Sequence, residues 1–210
     1  MAKTLTQNKI KVAAQKLFAE KGMDGVSVRE IVAAAGQKNM ASLHYYFRTK
    51  EDLARVLLLD AAEVIDAERV RLMDATEAKG GPNSVYEVLE IFVTSSVLSN
   101  NDPRSNSNVR LFLQTFQTDA EFVQKTVANS GDIGYFRCLA HLKEMMSHLE
   151  DATMKRRIYL MQHYVYNALA ARERAKSVTG PETPLWEGDG MMKELLKTAE
   201  NLLLGPTVTD

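Results

Sequence analysis

An all-α protein with an N-terminal helix-turn-helix is the fold this sequence predicts, and three observations predict it. Apolar residues recur at three- and four-residue steps along nearly the whole chain, without strand-like alternation. Ser27 to Leu53 reads as two short helices, a turn and the start of a longer helix. Charge is also divided unevenly. Residues 1 to 55 hold ten Lys or Arg against five Asp or Glu, net +5; the remainder holds sixteen against twenty-two, net −6, within a total of −1. The basic end is therefore the end suited to a polyanion.

With 210 residues, 45% hydrophobic and 25% charged, the chain can bury a sizeable core as one elongated or two modest domains. The only cysteine, Cys138, has no internal disulfide partner and fits a reducing cytoplasm. There is no basic-then-apolar leader and no uncharged apolar run near ~20 residues, so neither a signal peptide nor a membrane span is expected. A cytoplasmic protein follows as the expectation.

Met1 to Gln7 reads as a short polar arm, and Asn8 to Lys21 as an amphipathic helix carrying Ile10, Ala13, Ala14, Leu17 and Phe18. Ser27 precedes an apolar run with Glu30 three residues on, a capping box that starts a helix at Val28. Gly36 ends it, because glycine adopts the left-handed conformation that closes a helix. Met40 to Phe47 forms a second short helix with Leu43 and Phe47 inward. Thr49, with Asp52 three residues later, begins a long helix through Leu53, Leu57, Ala61, Val64, Ile65 and Leu72, which stops before Gly80, Gly81 and Pro82. Downstream, helices are predicted over Ser84 to Ser99, Val109 to Val127, Tyr135 to Leu149, Thr153 to Lys176 and Met191 to Leu204. A polar loop spans Ser99 to Asn108, Gly131 and Gly134 act as breakers, and an exposed connection runs from Gly180 to Gly190.

The outward side of the second short helix carries Ser42, His44, Tyr45 and Tyr46, beside Lys38, Asn39 and Met40 in the preceding turn. Hydroxyl, imidazole, amide and phenol groups can hydrogen-bond base edges or phosphates, and nearby cations supply the sequence-independent attraction. Lys38, Asn39, Met40 and Ser42 are the candidates for base contact; His44, Tyr45, Tyr46, Lys50 and Arg29 are those for phosphate. Lys50 stands near a helix N-terminus, where amides and cation favour the same anion.

At this point the chain resembles the tetracycline-repressor (TetR) family of transcriptional regulators. The resemblance covers Lys9 to Val56 and lies in three consecutive segments: LFAEKG (Leu17 to Gly22), VSVREIVAAAG (Val26 to Gly36) and SLHYYFRTKEDL (Ser42 to Leu53). One departure stands out: Gly36 to Phe47 is one residue longer than the commonest family spacing, the extra residue falling within Gln37 to Ala41. The resemblance implies a DNA-binding head over residues 1–55, whose long connecting helix continues to residue 79, and a helical effector-binding and dimerisation domain over 56–210. It also implies a homodimer on double-stranded pseudo-palindromic operator DNA, a small-molecule effector that releases a repressor, and no cofactor.

In such proteins the last two long helices of each subunit pair into a four-helix bundle. Here the suitable stripes are Ile158, Met161, Val165 and Leu169, and Met192, Leu195, Leu196, Ala199, Leu202 and Leu203. Packing within the subunit is the competing reading of both. Tyr135, Cys138, Met145, His163 and Tyr164 are candidates to line an effector pocket, although core packing accounts for them as well.

Catalysis is not expected. His141, Glu144 and His148 share a helical face but lack a partner set on another helix, so no metal site is assigned. No phosphate loop or nucleophile elbow occurs. The alternatives from other classes are a DNA-organising protein without an effector, which would show weak sequence preference, and a helical metal-dependent enzyme, which would purify with stoichiometric metal.

Overall fold

The computed structural model describes residues 2–98, 107–128, 130–179 and 184–206. Among these the chain forms ten α-helices and one 3-10 turn, with no strand. It divides into two compact units: Met1–Val64 with Asn100–Gly131, and Ile65–Ser99 with Asp132–Asp210. Helix α4 (Lys50–Glu77) contributes residues to both.

The first unit contains α1 (Ala2–Lys21), α2 (Val28–Ala34), α3 (Ala41–Phe47), the first half of α4, α6 (Asn108–Thr118) and α7 (Ala120–Val127). Its core gathers Ile10, Ala14 and Phe18 with Ile31, Val32, Leu43, Phe47, Leu53 and Leu57, and Leu111 and Val123 close it from α6 and α7. Helix α1 packs on α6, where a buried hydrogen bond from Gln15 Nε2 to Asn108 Oδ1 spans 2.7 Å. Two expectations change here. Helix α1 begins at Ala2 rather than after a polar arm, since nothing in Ala2 to Gln7 breaks a helix. The single helix expected over Val109 to Val127 is two, divided at Asp119, whose carboxylate accepts the Phe122 N–H at 2.9 Å and caps α7.

The second unit contains the rest of α4, α5 (Val85–Leu98), α8 (Ile133–Met145), α9 (Asp151–Thr179), the 3-10 turn Pro184–Trp186 and α10 (Gly190–Leu204). Helix α5 is apolar nearly all round, burying Val85, Val88, Leu89, Ile91, Phe92 and Val93, which makes it the central element. It packs against α8 and α10, and α10 also packs on α9. Arg157 of α9 donates to the Leu203 and Pro206 carbonyls at 2.6 and 2.9 Å, satisfying the end of α10. Gly134, expected as a breaker, lies in the first turn of α8. A Cβ there would stand 2.9 Å from Val70 N and 3.0 Å from Arg69 Cβ, so glycine permits the close approach of α8 to α4. The expected loop at Ser99 to Asn108 falls largely outside the described residues, as do residues 180–183 of the Gly180 to Gly190 connection.

Candidate nucleic-acid interface

The helix-turn-helix is fixed by local hydrogen bonds that its sequence specifies. Ser27 Oγ accepts the Glu30 N–H at 3.2 Å and Glu30 Oε2 accepts the Ser27 N–H at 2.9 Å, completing the capping box of α2. Lys21 reaches the other Glu30 oxygen at 2.9 Å. The Ser27 amide, then Lys21, hold the Glu30 carboxyl at about 2. At the other end Gly36 has φ +67°, its N–H bonds Ala33 O, and the Gln37 N–H bonds Val32 O at 2.9 Å, the paired closure of a Schellman motif.

Helix α3 follows, with Leu43 and Phe47 buried as expected. Asn39 Oδ1 accepts the Ala41 N–H at 2.9 Å, so the carbonyl side of this amide is used by the helix start, apart from its two NH₂ donors. Met40 is 53% and Tyr45 65% exposed, the two largest apolar surfaces on this face. Lys38, Asn39 and His44 are exposed beside them, Ser42 is half-buried, and Arg29 is exposed on the first turn of α2. Tyr46 instead packs partly on the core, with the Tyr45 ring edge-on at 5.0 Å.

Two features were not legible in the sequence. Arg48 has φ 59° and ψ −57°, and the Thr49 N–H reaches Phe47 O at 2.6 Å, so α3 ends in a γ-turn centred on a non-glycine residue. His44 Nδ1–H donates to the Arg48 carbonyl at 2.7 Å and holds that turn. Lys50 is half-buried, and its ammonium donates to the Met23 and Val26 carbonyls at 2.9 and 3.1 Å. It thus ties the turn before α2 to the start of α4, leaving one of its three donors for anything else.

The remaining candidates fall in the second unit. Tyr135 and Cys138 lie inward: Tyr135 OH accepts from Gln162 Nε2 at 2.7 Å, and Cys138 is buried, its thiol pushed up to about 11 by burial. Met145 is half-buried. His163 donates to Tyr159 O and stacks on that ring at 4.1 Å, and Tyr164 shares a hydrogen bond with Thr198 at 2.6 Å, so these two belong to the outer side of α9 rather than to an interior pocket. Of the ten apolar residues assigned to a dimer seam, eight are buried within the chain itself: Ile158, Met161, Val165, Leu169, Leu195, Leu196, Ala199 and Leu203. Met192 is half-buried and Leu202 is 41% exposed. His141 turns to Glu77 at 3.1 Å, and among the described residues no three His, Cys, Asp or Glu side chains converge on a metal site. No described helix is long and apolar enough to cross a membrane.

Residues 10–57 match the model of bacterial regulatory proteins of the tetR family. No curated protein matches the chain. Among solved structures, one described as a tetR family transcription regulator from Shewanella sp. PV-4 superposes with a TM-score of 0.58 at 20% identity, over 93% of this chain and 96% of that one. The fatty acid degradation regulator FadR from Bacillus halodurans gives 0.54 at 19%, over 95% and 99%. PfmR, a TetR family transcriptional regulator from Thermus thermophilus, gives 0.52 at 19%, also over 95% and 99%. At these identities the likeness is one of fold. The match to the tetR family model thus covers the helix-turn-helix, and the fold as a whole is similar to that of these solved regulators.

Proposed function

We propose that the protein is a homodimeric, ligand-responsive transcriptional repressor that reads a pseudo-palindromic operator in the cytoplasm and performs no catalysis. The observation that carries this reading is the exposed face formed by α3 and the turn before it, where Lys38, Asn39, Met40, His44 and Tyr45 present a cation, an amide, a thioether, an imidazole and a phenol above a hydrophobic core. A mixed polar face of this kind, held rigidly and set in a basic segment, suits major-groove reading. Lys38, Asn39, Met40 and Ser42 contact bases, whereas Arg29, His44, Tyr45, Tyr46 and the remaining donor of Lys50 position the head on phosphates.

One such head buries too little surface for tight, selective binding, and two-fold pairing sets two heads about one helical turn apart, ~34 to 36 Å. The dimer seam uses the outer faces of α9 and α10, since their inner faces are already committed. Tyr159, Leu160, Tyr164, Leu202 and Leu204 are exposed apolar or aromatic residues there, at 54, 57, 39, 41 and 46%. An effector bound in the second unit acts through α4, releasing DNA by no more than its differential affinity for the two states.

Selection of bound sequences from a random duplex pool, with oligomeric state measured in parallel, tests the proposal. Enrichment of a two-fold symmetric site by a dimer is expected. A folded protein that enriches no sequence would overturn operator reading.

A further inference from the structure

Arg69 occupies the inward stripe of α4, between Ile65 and Met73, and its side chain is 5% exposed. A guanidinium removed from water needs an anion and five hydrogen-bond acceptors' worth of compensation. The Phe92 ring lies 4.7 Å and the Tyr135 ring 5.9 Å from its central carbon, which favours a cation but accepts no N–H. Asp66 is the nearest charge, yet Oδ1 stands 3.7 Å from Nη1, beyond a direct hydrogen bond. Both Asp66 oxygens are already engaged by the first turn of α8: Oδ2 accepts the Gly134 N–H at 3.1 Å and Oδ1 the Tyr135 N–H at 2.9 Å. What is left is one edge of the guanidinium. Arg69 Nε and Nη2 are buried and have no hydrogen-bond partner.

That edge is the one whose two parallel N–H groups match a pair of coplanar oxygens. We infer that the Nε/Nη2 edge of Arg69 anchors the carboxylate of a small organic acid inside the second unit, with the acid's apolar body against Phe92, Tyr135 and Tyr166. The aromatic wall is continuous: Phe92 lies 6.3 Å from Tyr135 and 5.7 Å from Tyr166, centroid to centroid. Charge balance selects a monoanion. Asp66 already offsets part of the Arg69 charge, so a phosphate dianion would add twice the excess negative charge that one carboxylate does beside the partial positive charge of the α8 N-terminus. Apolar walls with a single fork of donors also match how small-ligand sites combine affinity and orientation. This deepens the proposed effector response and rests on it. Arg69 and Asp66 both belong to α4, the helix that begins in the DNA-reading unit.

The test observes Arg69 directly and without DNA. In protein with ¹⁵N-labelled arginine, the Arg69 Nε–H resonance is assigned by its loss in R69K, and the protein is titrated with 4-phenylbutyrate and octanoate, with their neutral amides, and with phenyl phosphate. A saturable shift with a carboxylate but not with its amide is expected, with affinity lowered about 10- to 100-fold in R69K. R69M is measured as well, so that one folded variant, verified by its melting transition, is available. No shift with either carboxylate, equal affinity in a folded variant, or preferential binding of the phosphate ester overturns the inference. If DNA reading were the part at fault, carboxylate binding would persist while no operator was enriched.

Discussion

Both units draw a basic side chain of α4 inward, and they treat it in opposite ways. In the first, Lys50 commits two of its three donors to the Met23 and Val26 carbonyls of the turn before α2, the former of which also accepts the Val26 N–H. In the second, Arg69 keeps an entire edge without a protein acceptor. A buried polar group with all its partners is part of the scaffold, and one left short of partners marks a place where something else completes it. The contrast separates a cation that builds the reading head from one poised for a ligand.

The largest effect is expected at Asp66. Asp66→Ala removes the acceptor for the Gly134 and Tyr135 amides and the carboxylate within ion-pair distance of Arg69, which amounts to breaking a buried pair and should cost about 3 to 5 kcal/mol. Chemical denaturation checks this. A loss under about 1 kcal/mol would mean that water takes over from Asp66 and that Arg69 is better solvated than its burial indicates.

Lys50→Met and Arg69→Met come next, and their difference is the sharpest probe of the contrast. Lys50→Met removes the ammonium from both carbonyls, leaving Met23 O only the Val26 N–H, and should destabilise by about 1 to 3 kcal/mol. Arg69→Met exchanges an incompletely paired cation for an apolar side chain of similar length. It should lie within about 1 kcal/mol of the parent, because Asp66 keeps its two amide hydrogen bonds from α8 and the cost of a buried guanidinium edge without acceptors is removed. Equal losses in the two variants would make Arg69 a structural residue. The same Lys50 variant separates its two proposed roles. If the third donor meets a phosphate, the slope of log affinity against log salt falls by about 0.9, independently of the stability change.

These residues also show what the sequence could and could not reveal. Local signals were legible. The Ser27 and Glu30 spacing, Gly36 and the Leu43 and Phe47 pair specify α2, the turn and α3 through contacts only a few residues apart, and the structure contains each of them. The exposed character of Lys38, Asn39, Met40, His44 and Tyr45 followed from the same periodicity. Register on long helices was less legible. The stripe expected on α4 included Val64, which is 45% exposed, while the buried face passes through Leu58, Ala62, Ile65, Arg69 and Met73. Counting apolar residues sends charged ones to the outside, so an arginine on an inward stripe is invisible to it. The apolar stripes of α9 and α10 were correctly found as stripes, but periodicity does not say whether such a face meets its own chain or a second copy. Burial of Val165, Leu169, Leu195 and Ala199 within the chain assigns these faces to the interior. The Lys50 contacts join residues more than twenty positions apart and depend on tertiary placement.

The smallest effect concerns an exposed group, and it tests how far the reading head depends on local capping. Glu30 is held at about 2 against an ordinary value of 4.5, chiefly by the Ser27 N–H and then by Lys21. The folded value lies below the unfolded one, so the unfolded chain binds the proton first as pH falls. The stabilisation is therefore complete above about 4.5 and is lost as pH drops through about 2. Glu30→Gln keeps an acceptor for the Ser27 amide but has no charge to titrate, so the acid limb of the head's stability curve should be shallower over that window than in the parent. Amide exchange at Ser27 and Glu30 measured across the window reads the cap itself, apart from every carboxylate elsewhere. Parallel acid limbs in the two proteins would mean that solvent screening cancels the Lys21 and Ser27 contributions at this exposed site, leaving Gly36 and the apolar core to hold α2 in place.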